Sequence, residues 1–413
     1  MITKEFDYLI IGAGIIGLAV AKTLREKQPN SKIIIIEKES GVAKHASGRN
    51  SGVLHAGFYY TSDTLKAKLT VAGNKALREY CKSNKLALKE IGKLVVASDE
   101  KELEQLFELE KRGKQNGSEI EIISEEQALK IEPNAKTFSK ALWSPLTATV
   151  DPKEVCNCLY QELLASNVIF SFNDGFKSHS QHTVATEKSL YSVKHVINCS
   201  GLYADKIAQK YGFGMKYTII PFKGLYLKYT KNTTDLQTNI YPVPNLKHTF
   251  LGVHYTKTVH DQIKIGPTAI PAFWRENYDF KHNFKLDEFL NILFYEAKLF
   301  YNNSFGFRDL AFEEIKKYSK SYLVKLAEKL SRNLDPKGFT EFGVPGIRSQ
   351  LVNKETLQLV MDFIIEGDQN STHVLNAISP GFTCSFPVAE YLVNNYILND
   401  SSKTTKERLA VGN

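Results

Sequence analysis

Apolar residues near the start of the chain alternate between continuous runs and a helical stripe. The runs Tyr8–Ile11 and Ile33–Ile36 each predict a buried parallel strand. Between them, Leu18–Lys27 carries apolar residues at helical spacing, and Pro29 and Asn30 end that pattern. The first forty residues therefore predict strand, helix and strand in that order.

The rest of the chain continues this mixture, which predicts an α/β fold with α+β character overall. Helices are predicted at Asp63–Asn84, Glu100–Asn116, Ala204–Tyr211, Phe284–Tyr301, Ser321–Leu334 and Phe386–Leu398. Strands are predicted at Lys93–Ala97, Val193–Asn198, Phe222–Tyr229, Thr249–His254, Gln262–Gly266, Gly346–Val352, Asp362–Glu366 and His373–Ala377. Capping patterns start two more helices, at Ser124 with Gln127 and at Asp151-Pro152 with Glu154. The tail 399–413 is predicted to be disordered.

Composition narrows the function classes. The net charge is +8, but the basic residues are scattered, so we expect no nucleic-acid partner and favour anionic substrates or an anionic membrane surface. The five cysteines form no CxxC pair, which predicts no metal site and a reducing compartment. No apolar run is long enough to span a bilayer, and no signal peptide is expected. The expected location is the cytoplasm.

Three glycines follow the first strand in the pattern GxGxxG. Gly12 permits the tight turn, Gly14 lets the backbone approach a pyrophosphate, and Gly17 lets the helix pack closely on the strand. The helix N-terminus offers free N–H groups to the phosphates. Glu37 ends the second strand, where an acid binds ribose hydroxyls. The order of these features predicts a dinucleotide site rather than a plain glycine turn.

The segment after Glu37 favours FAD over a nicotinamide cofactor. Residues 43–60 read AKHASGRNSGVLHAGFYY and show little hydrophobic periodicity. A nicotinamide domain would move promptly to another helix and strand. Long irregular loops are uncommon unless they are functional, so this one is predicted to wrap a larger, buried cofactor.

Two further turns could meet a cofactor. Cys199-Ser200-Gly201 joins a predicted strand to a helix, and its alternative interpretation is a plain glycine turn. Residues 379–383 precede the last helix, whose dipole would stabilise an anionic reduced flavin. The alternative there is an ordinary helix start.

At this point the chain resembles the FAD-dependent oxidoreductases of the D-amino-acid-oxidase and glycerol-3-phosphate-dehydrogenase type. Within that family it looks most like the L-2-hydroxyglutarate dehydrogenases. The resembling stretches run in order along nearly the whole chain: IIGAGIIGLAVA, EKES, GRNSGVLHAGFYY, LKAKLTVAGN, NCSGLYADKIA, PFKGLYLKY, YPVPN, FLGVHYTK, GIRSQLV and NAISPGFTCSFPVAEYL. NSGVLHAGFYY is much more specific than the glycine fingerprint.

The resemblance implies a Rossmann-like FAD-binding domain interleaved with a mostly antiparallel substrate domain. We expect the first to comprise residues 1–85, 145–215 and 335–398, and the second to comprise residues 86–144 and 216–334. The implied reaction is FAD-dependent oxidation of an L-2-hydroxy acid, L-2-hydroxyglutarate first. The alternatives are an amine or amino-acid oxidase of the same fold and a non-catalytic FAD-binding sensor.

The resemblance also assigns residues to a noncovalently bound FAD. With their neighbours in the same motifs, the expected FAD-binding residues are Gly12, Gly14, Ile15, Ile16, Gly17, Glu37, Lys38, Asn50, Ser51, Gly52, Val53, His55, Phe176, Ser200, Gly201, Arg348, Gly381, Phe382 and Thr383. Two positions depart from the family pattern. Arg49 stands where the family has histidine, and Lys223 stands where it has arginine. Both keep positive charge but change the hydrogen-bond geometry.

Oxidation of a hydroxy acid needs a hydride acceptor, a base and a carboxylate receptor. His55 is the first candidate for the base and His254 the second. His55 has the alternative role of orienting its loop, and His254 that of a satisfied core residue. Arg348 is the candidate for the bidentate carboxylate receptor, against a surface arginine as the alternative. A second carboxylate of the substrate would need another set of donors, and the candidates for it are Lys223, Arg49, Tyr60 and Tyr226.

The segment 284–301 predicts peripheral attachment to a membrane, on the inner face. It holds more apolar and aromatic residues than one buried helix stripe requires, and lysines lie in and after it. Its acids argue against a spanning helix. The alternative is packing against the substrate domain or against a second subunit. The electron acceptor, whether oxygen, quinone or a protein, is not evident from the sequence.

Overall fold

The computed structural model describes residues 4–231, 236–244, 250–281, 283–377 and 379–399. It confirms the predicted α/β class. The strands are β1 Lys4–Ile11, β2 Ile33–Glu37, β3 Val53–Leu54, β4 Leu88–Lys89, β5 Lys93–Val96, β6 Glu121–Ser124, β7 Lys140–Ser144, β8 Ala148–Val150, β9 Ile169–Phe172, β10 Phe176–Ser180, β11 Thr183–Thr186, β12 Leu190–Asn198, β13 Tyr217–Gly224, β14 Leu227–Tyr229, β15 Asn239–Pro242, β16 His254–Lys257, β17 Ile263–Gly266, β18 Ile270–Pro271, β19 Phe339–Phe342, β20 Gly346–Asn353, β21 Ile364–Gly367 and β22 Ser371–Asn376. The α-helices are α1 Ile15–Lys27, α2 Leu65–Ser83, α3 Glu100–Gln115, α4 Glu125–Ile131, α5 Pro152–Ala165, α6 Ala204–Lys210, α7 Leu286–Asn302, α8 Phe307–Lys316, α9 Lys320–Ala327 and α10 Ser385–Leu392.

The chain divides into two compact units, each made of separate stretches of sequence. Unit 1 comprises Met1–Asn50, Pro152–Ile220 and Ser349–Asn413, and unit 2 comprises Ser51–Asp151 and Pro221–Arg348. The chain passes from one unit to the other four times: after Asn50, after Asp151, within β13 and within β20.

Unit 1 is built on a sheet in the order β10-β11-β12-β1-β2-β9, with β22 joined to β12 and β21 joined to β22. The pairings of β1 with β2 and β12, of β2 with β9 and of β12 with β22 are parallel. All four residues Ile33–Ile36 are buried, as expected for a central parallel strand covered on both faces. Burial of each such side chain stabilises the unit by about 1.5–3 kcal/mol. Helix α1 packs against α10 and α5.

Unit 2 is built on a mostly antiparallel sheet in the order β19-β14-β17-β16-β15-β5-β7-β6, in which β15 and β5 pair in parallel. A smaller sheet has the order β3-β8-β4. The large sheet carries a core that includes Leu94, Ile240, Tyr255 and Ile265. The predicted capping box of Ser124 and Gln127 is present at the start of α4.

Several predicted elements are corrected by the structure. The strand expected over Phe222–Tyr229 is broken after Gly224, because the Leu225 N–H donates to the Thr268 hydroxyl rather than to a neighbouring strand. Of the strand expected over Thr249–His254, residue 249 lies outside the described residues and residues 250–253 are not in a strand; β16 begins at His254.

Three of the helices in the second half of the chain also differ from the prediction. The helix expected to run from Ser321 to Leu334 ends at Ala327, because the chain beyond it forms a bridge between Ser331 and Ala135. Helix α8 was not predicted. The last helix continues as a π-helix over Val393–Ile397. The predicted disordered tail lies outside the described residues except for its first residue. Within the described part of the chain, no helix combines the length and apolarity needed to cross a bilayer.

Candidate active site

In the turn after β1 in unit 1, neighbouring backbone atoms lie so close to the glycines that a side chain would not fit. Gly12 has a φ of +106°, and a Cβ atom there would lie 2.7 Å from the carbonyl oxygen of Cys199. A Cβ atom on Gly17 would lie 2.1 Å from the carbonyl oxygen of Gly12. Because β1 and β12 pair in parallel, the glycine turn and the Cys199 turn lie side by side at the same edge of the sheet. We call these two adjacent turns, 12–17 and 199–201, the glycine cradle.

Polar groups surround this cradle. The Ile15 N–H at the start of α1 donates to the Ser47 hydroxyl at 2.9 Å. The Glu37 carboxylate accepts from the Ala13 N–H at 2.8 Å and from the Glu39 N–H at 2.9 Å. A Cβ atom on Gly14 would lie 3.0 Å from the Ser47 hydroxyl oxygen. The helix N-terminus and the acid thus lie on the same turn, as a dinucleotide site requires.

The remaining predicted residues of unit 1 occupy varied environments. Ser200 donates to the Asn198 side chain, which fixes the second turn. Asn50 donates to the carbonyls of Ala46 and Ser47, and Arg49 donates to that of Lys44. Others are placed as follows: Ile15 and Ile16 are buried in α1, Lys38 pairs with Glu39 and lies 5.4 Å from the Tyr203 ring, Phe176 lies 6.0 Å from the Tyr211 ring, Gly201 begins a short 3-10 helix, and Gly381, Phe382 and Thr383 precede α10.

These features fit the dinucleotide part of FAD. The cradle is lined by backbone and by glycines whose Cβ atoms would fill it, and a helix of thirteen residues begins at its edge. Such a helix N-terminus attracts the negative charge of a pyrophosphate. Gly12, Gly14 and the start of α1 would hold the phosphates, and Glu37 would hold a ribose.

The segment 51–60 of unit 2, which is irregular apart from the short strand β3, is held in place by two amide side chains. The Asn74 side chain donates to the carbonyls of Leu54 and His55 at 3.1 and 3.2 Å. The Asn116 side chain donates to those of Gly57 and Tyr60 at 3.0 and 2.9 Å. Since buried carbonyls must be satisfied, these bonds replace the ladder that a regular strand would provide. They fix the position of His55, and the sequence analysis did not identify them.

His55 lies in a cluster of positively charged side chains of unit 2. The pKa of His55 is lowered to about 3, mainly by burial and to a smaller extent by Lys93, His254 and Arg348. Burial lowers the pKa of His254 to about 3 as well, with Lys93, Lys264 and Arg348 acting in the same direction. Both imidazoles are therefore neutral near pH 7. The structure brings the two predicted histidines and the predicted arginine together.

His254 is held in one orientation. Its Nδ1 atom lies 2.8 Å from the Gly252 carbonyl oxygen, and because a carbonyl only accepts, Nδ1 carries the proton. The ring stacks on Tyr241, with centroids 3.7 Å apart and planes 15° apart. In the neutral ring, Nε2 is then the nitrogen with the lone pair, which can accept a proton.

Arg348 is half-buried, with its guanidinium carbon 4.9 Å from the centroid of the Phe250 ring. Tyr226 and Tyr60 act electrostatically on its pKa, so both lie near it. Burial raises the pKa of Tyr226 to about 12 and keeps that phenol neutral, and its hydroxyl hydrogen-bonds Ser51. The Lys264 ammonium donates to the Ser51 carbonyl and lies 4.6 Å from the Tyr226 ring.

Lys223 is placed differently. It is buried on β13 opposite Ile270, and burial lowers its pKa. It is not among the charges that shift the pKa of His55 or Arg348. In the smaller sheet, Val53 pairs with Thr149, and the Gly52 carbonyl accepts from the Val150 N–H.

The role of Lys93, whose ammonium lies over the rings of Phe58, Tyr59 and Tyr241, was not predicted from the sequence. Lys93 opens the apolar strand β5 after a glycine, so the apolar pattern identified the strand but not the lysine. A signal was present, since a lysine directly preceding an apolar run in a buried strand is unusual.

Comparison with known proteins agrees with these features. The family model for FAD dependent oxidoreductases matches residues 7–395. A protein of Dictyostelium discoideum named mitochondrial L-2-hydroxyglutarate dehydrogenase is 33% identical, over 94% of this chain and 92% of that protein. A protein of Indibacter alkaliphilus named L-2-hydroxyglutarate dehydrogenase is 34% identical, over 93% of this chain and 97% of that protein.

Solved structures share the fold. L-alpha-glycerophosphate oxidase from Mycoplasma pneumoniae with FAD bound superimposes with a TM-score of 0.74 at 23% identity, covering 95% of this chain and 94% of that one. Glycine oxidase from Geobacillus kaustophilus does so with a TM-score of 0.71 at 16% identity, covering 99% and 100%. The glycine cradle, the family match over nearly the whole chain and the shared fold together show that this protein belongs to the FAD dependent oxidoreductase family and is an enzyme with FAD as its cofactor.

Proposed function

We propose that this enzyme oxidises L-2-hydroxyglutarate to 2-oxoglutarate. The observation that carries the proposal is the cluster of Arg348, Lys93 and two neutral histidines in unit 2. The cations of this cluster can bind the carboxylates of an acid substrate, and its neutral histidines can accept the proton of the substrate hydroxyl. The names and the 30–34% identity of the curated relatives support this substrate over other hydroxy acids.

The chemistry follows from the residues of the cluster. The Arg348 guanidinium binds the carboxylate next to the reacting carbon, because its planar fork matches two oxygens. A neutral imidazole takes the proton from the hydroxyl oxygen, while a hydride leaves the carbon that bears that hydroxyl, so the substrate loses two electrons and two protons in all. When bound, FAD supplies the hydride acceptor. The carbonyl of 2-oxoglutarate is the product.

Two histidines can take that proton. His55 lies in the loop fixed by Asn74, and His254 has its Nδ1–H committed to Gly252. With its Nδ1–H bonded to Gly252, His254 has Nε2 free to accept a proton, an arrangement typical of an oriented base. We therefore favour His254 as the base. The other histidine then binds or orients the substrate.

We assign the two units separate roles in the same proposal. The cradle of unit 1 binds the dinucleotide part of FAD noncovalently, so acid precipitation should release the yellow colour into solution. Unit 2 supplies the substrate-binding side chains. Tyr226 and Tyr60, which act on Arg348, are proposed to line the substrate position.

A substrate panel tests the proposal. FAD-loaded enzyme with an artificial electron acceptor should turn over L-2-hydroxyglutarate faster than D-2-hydroxyglutarate, L-malate, glycine or L-glutamate. An amino-acid oxidase is the second candidate, because glycine oxidase shares the fold. Faster turnover of glycine or L-glutamate would replace the first proposal by the second.

We further propose that the enzyme attaches peripherally to an anionic membrane through α7 and α8. The two acids Glu288 and Glu296 lie on the buried face of α7, whereas Leu290 and Phe294 are more than half exposed. On α8, Phe312 and Ile315 are also more than half exposed. Lys298 lies 4.4 Å from the Phe294 ring. Aromatic residues beside lysines suit the interface of an anionic bilayer, where a quinone could accept the electrons.

A further inference from the structure

The side chain of Lys93 is fully buried, and within the described residues no acceptor receives a hydrogen bond from its ammonium group. The ammonium nitrogen lies 4.5 Å from the ring centroids of Phe58 and Tyr59 and 4.7 Å from that of Tyr241. Three aromatic faces offset part of the cost of burying the charge, but they neutralise none of it.

The charges around Lys93 have the same sign. With both imidazoles neutral, the charged groups that lower the pKa of His55 and of His254 alike are the cations Lys93 and Arg348. The acid that acts on Arg348 is Glu314, which is already engaged by Lys317 and by the Ala269 N–H. A buried group of cations without its own carboxylate is complementary to an anion.

Lys93 and Arg348 are the two cations that act on both histidines, and two such charges are complementary to two carboxylates. Arg348 is sufficient for one carboxylate, because its fork binds both oxygens. Burial lowers the pKa of Lys93 to about 7, so a neighbouring anion is needed to hold the ammonium in its charged form, and a 2-hydroxy monocarboxylic acid has no second carboxylate to do so. The distal carboxylate of a dicarboxylic acid would pair with the charged lysine.

We propose that Lys93 is a specificity-determining residue, whose charge selects 2-hydroxy acids that carry a second carboxylate. The inference rests on the proposed function, since it concerns the same substrate cluster. Lys93 would determine the choice of dicarboxylates over monocarboxylates, whereas the proposed function concerns the oxidation itself.

Lys93→Met tests the inference, because methionine keeps the length and apolar stem of lysine and removes the charge. Binding of 2-oxoglutarate and of 2-oxopentanoate to oxidised, FAD-loaded enzyme is followed by the change in flavin absorbance. The second acid has the same five carbons but a methyl group in place of the distal carboxylate. In wild type, 2-oxoglutarate should bind more tightly. In the variant its Kd should rise on the order of 10- to 100-fold, with a change of less than about 3-fold for 2-oxopentanoate.

Lys89→Met is the matched control. It removes one positive charge from the same unit, at a surface ion pair with Asp261, and should leave the selectivity unchanged. Lys93→Gln gives the same comparison if the methionine variant does not load FAD. A variant that loads FAD and keeps the wild-type preference for 2-oxoglutarate would overturn the inference. Lys93 would then have only a structural role, in packing against the three aromatic rings.

The two proposals fail separately. Selectivity between the acids is measured by binding, and the proposed function is measured by turnover. If wild type does not oxidise L-2-hydroxyglutarate but binds dicarboxylates through Lys93, the substrate assignment fails and the role of Lys93 stands.

Discussion

At the scale of single residues, the histidine cluster makes a prediction about pH. A histidine with an ordinary pKa of about 6.5 would lose its basic form as the pH falls through that value. The folded-state pKa of His254 and of His55 is lowered to about 3, so both stay neutral and able to accept a proton down to well below pH 5. The rate of flavin reduction by substrate should therefore show no loss with a midpoint near pH 6.5.

Substitution then identifies the base. His254→Gln should slow flavin reduction roughly 100-fold or more while FAD stays bound, the usual scale for losing a general base. His55→Gln is the matched variant and should have the smaller effect on that rate. Stopped-flow absorbance of the flavin measures both. The reverse ranking would move the base to His55.

The glycine cradle makes the second prediction at this scale. Gly14→Val should abolish FAD binding, because the added atoms enter the space between the turn and Ser47 and block the approach of a pyrophosphate. Gly41→Val is the control, since a Cβ atom there meets its nearest neighbour at an ordinary 3.4 Å. The ratio of flavin to protein absorbance measures loading. A fully loaded Gly14 variant would show that the cradle does not hold the cofactor.

At the scale of elements, α7 contains a buried acid that opposes folding at high pH. Burial raises the pKa of Glu296 to about 8, and one of its oxygens has no hydrogen-bond partner within the described residues. Because the folded-state pKa lies above the unfolded value, the folded protein loses stability as the pH rises from about 4.5 to about 8.

Glu296→Gln removes this titration while keeping the size of the side chain. The variant should therefore melt at a higher temperature than wild type at pH 8, and the difference should shrink towards pH 5. Thermal unfolding at the two pH values measures it. An equal difference at both pH values would mean that Glu296 is ionised in the fold throughout this range.

The exposed face of α7 makes the membrane prediction. Full-length, FAD-loaded enzyme should float with vesicles containing anionic lipid at low salt and float less as salt screens the lysines. Leu290→Ser with Phe294→Ser should abolish flotation, because both side chains are exposed and face away from the fold. Leu164→Ser is the control, an exposed apolar residue on α5 of unit 1. Failure of wild type to float would favour contact with a second copy of the chain instead.

The sequence predicted some elements closely and others poorly, for physical reasons. Local apolar periodicity and glycine spacing determine β1, α1 and β2, so their order and their C-terminal ends were predicted to within one residue, whereas β1 begins four residues and α1 three residues earlier than expected. The end of α9 depends on a bridge to Ala135, nearly two hundred residues away, which no local pattern encodes. The candidate site divides in the same way. His55, His254 and Arg348 stand in recognisable motifs. The aromatic rings around Lys93 come from distant parts of the sequence, since Tyr241 is brought near by the pairing of β15 with β5, and Phe58 and Tyr59 lie in the segment 51–60.

At the scale of the whole molecule, we propose that the intact enzyme binds FAD and transfers a hydride to it from L-2-hydroxyglutarate. The two units hold separate parts of this chemistry, the cofactor cradle and the basic substrate cluster. A test at this scale must use the intact, FAD-loaded chain and must follow both the cofactor and the product.

The most direct measurement is anaerobic titration of the FAD-loaded enzyme with L-2-hydroxyglutarate, without any added acceptor. The yellow absorbance of the flavin should bleach completely, with one 2-oxoglutarate formed for each flavin reduced. D-2-hydroxyglutarate should bleach it far more slowly. A flavin that stays oxidised with the L-acid, in protein that is folded and fully loaded, would contradict the account.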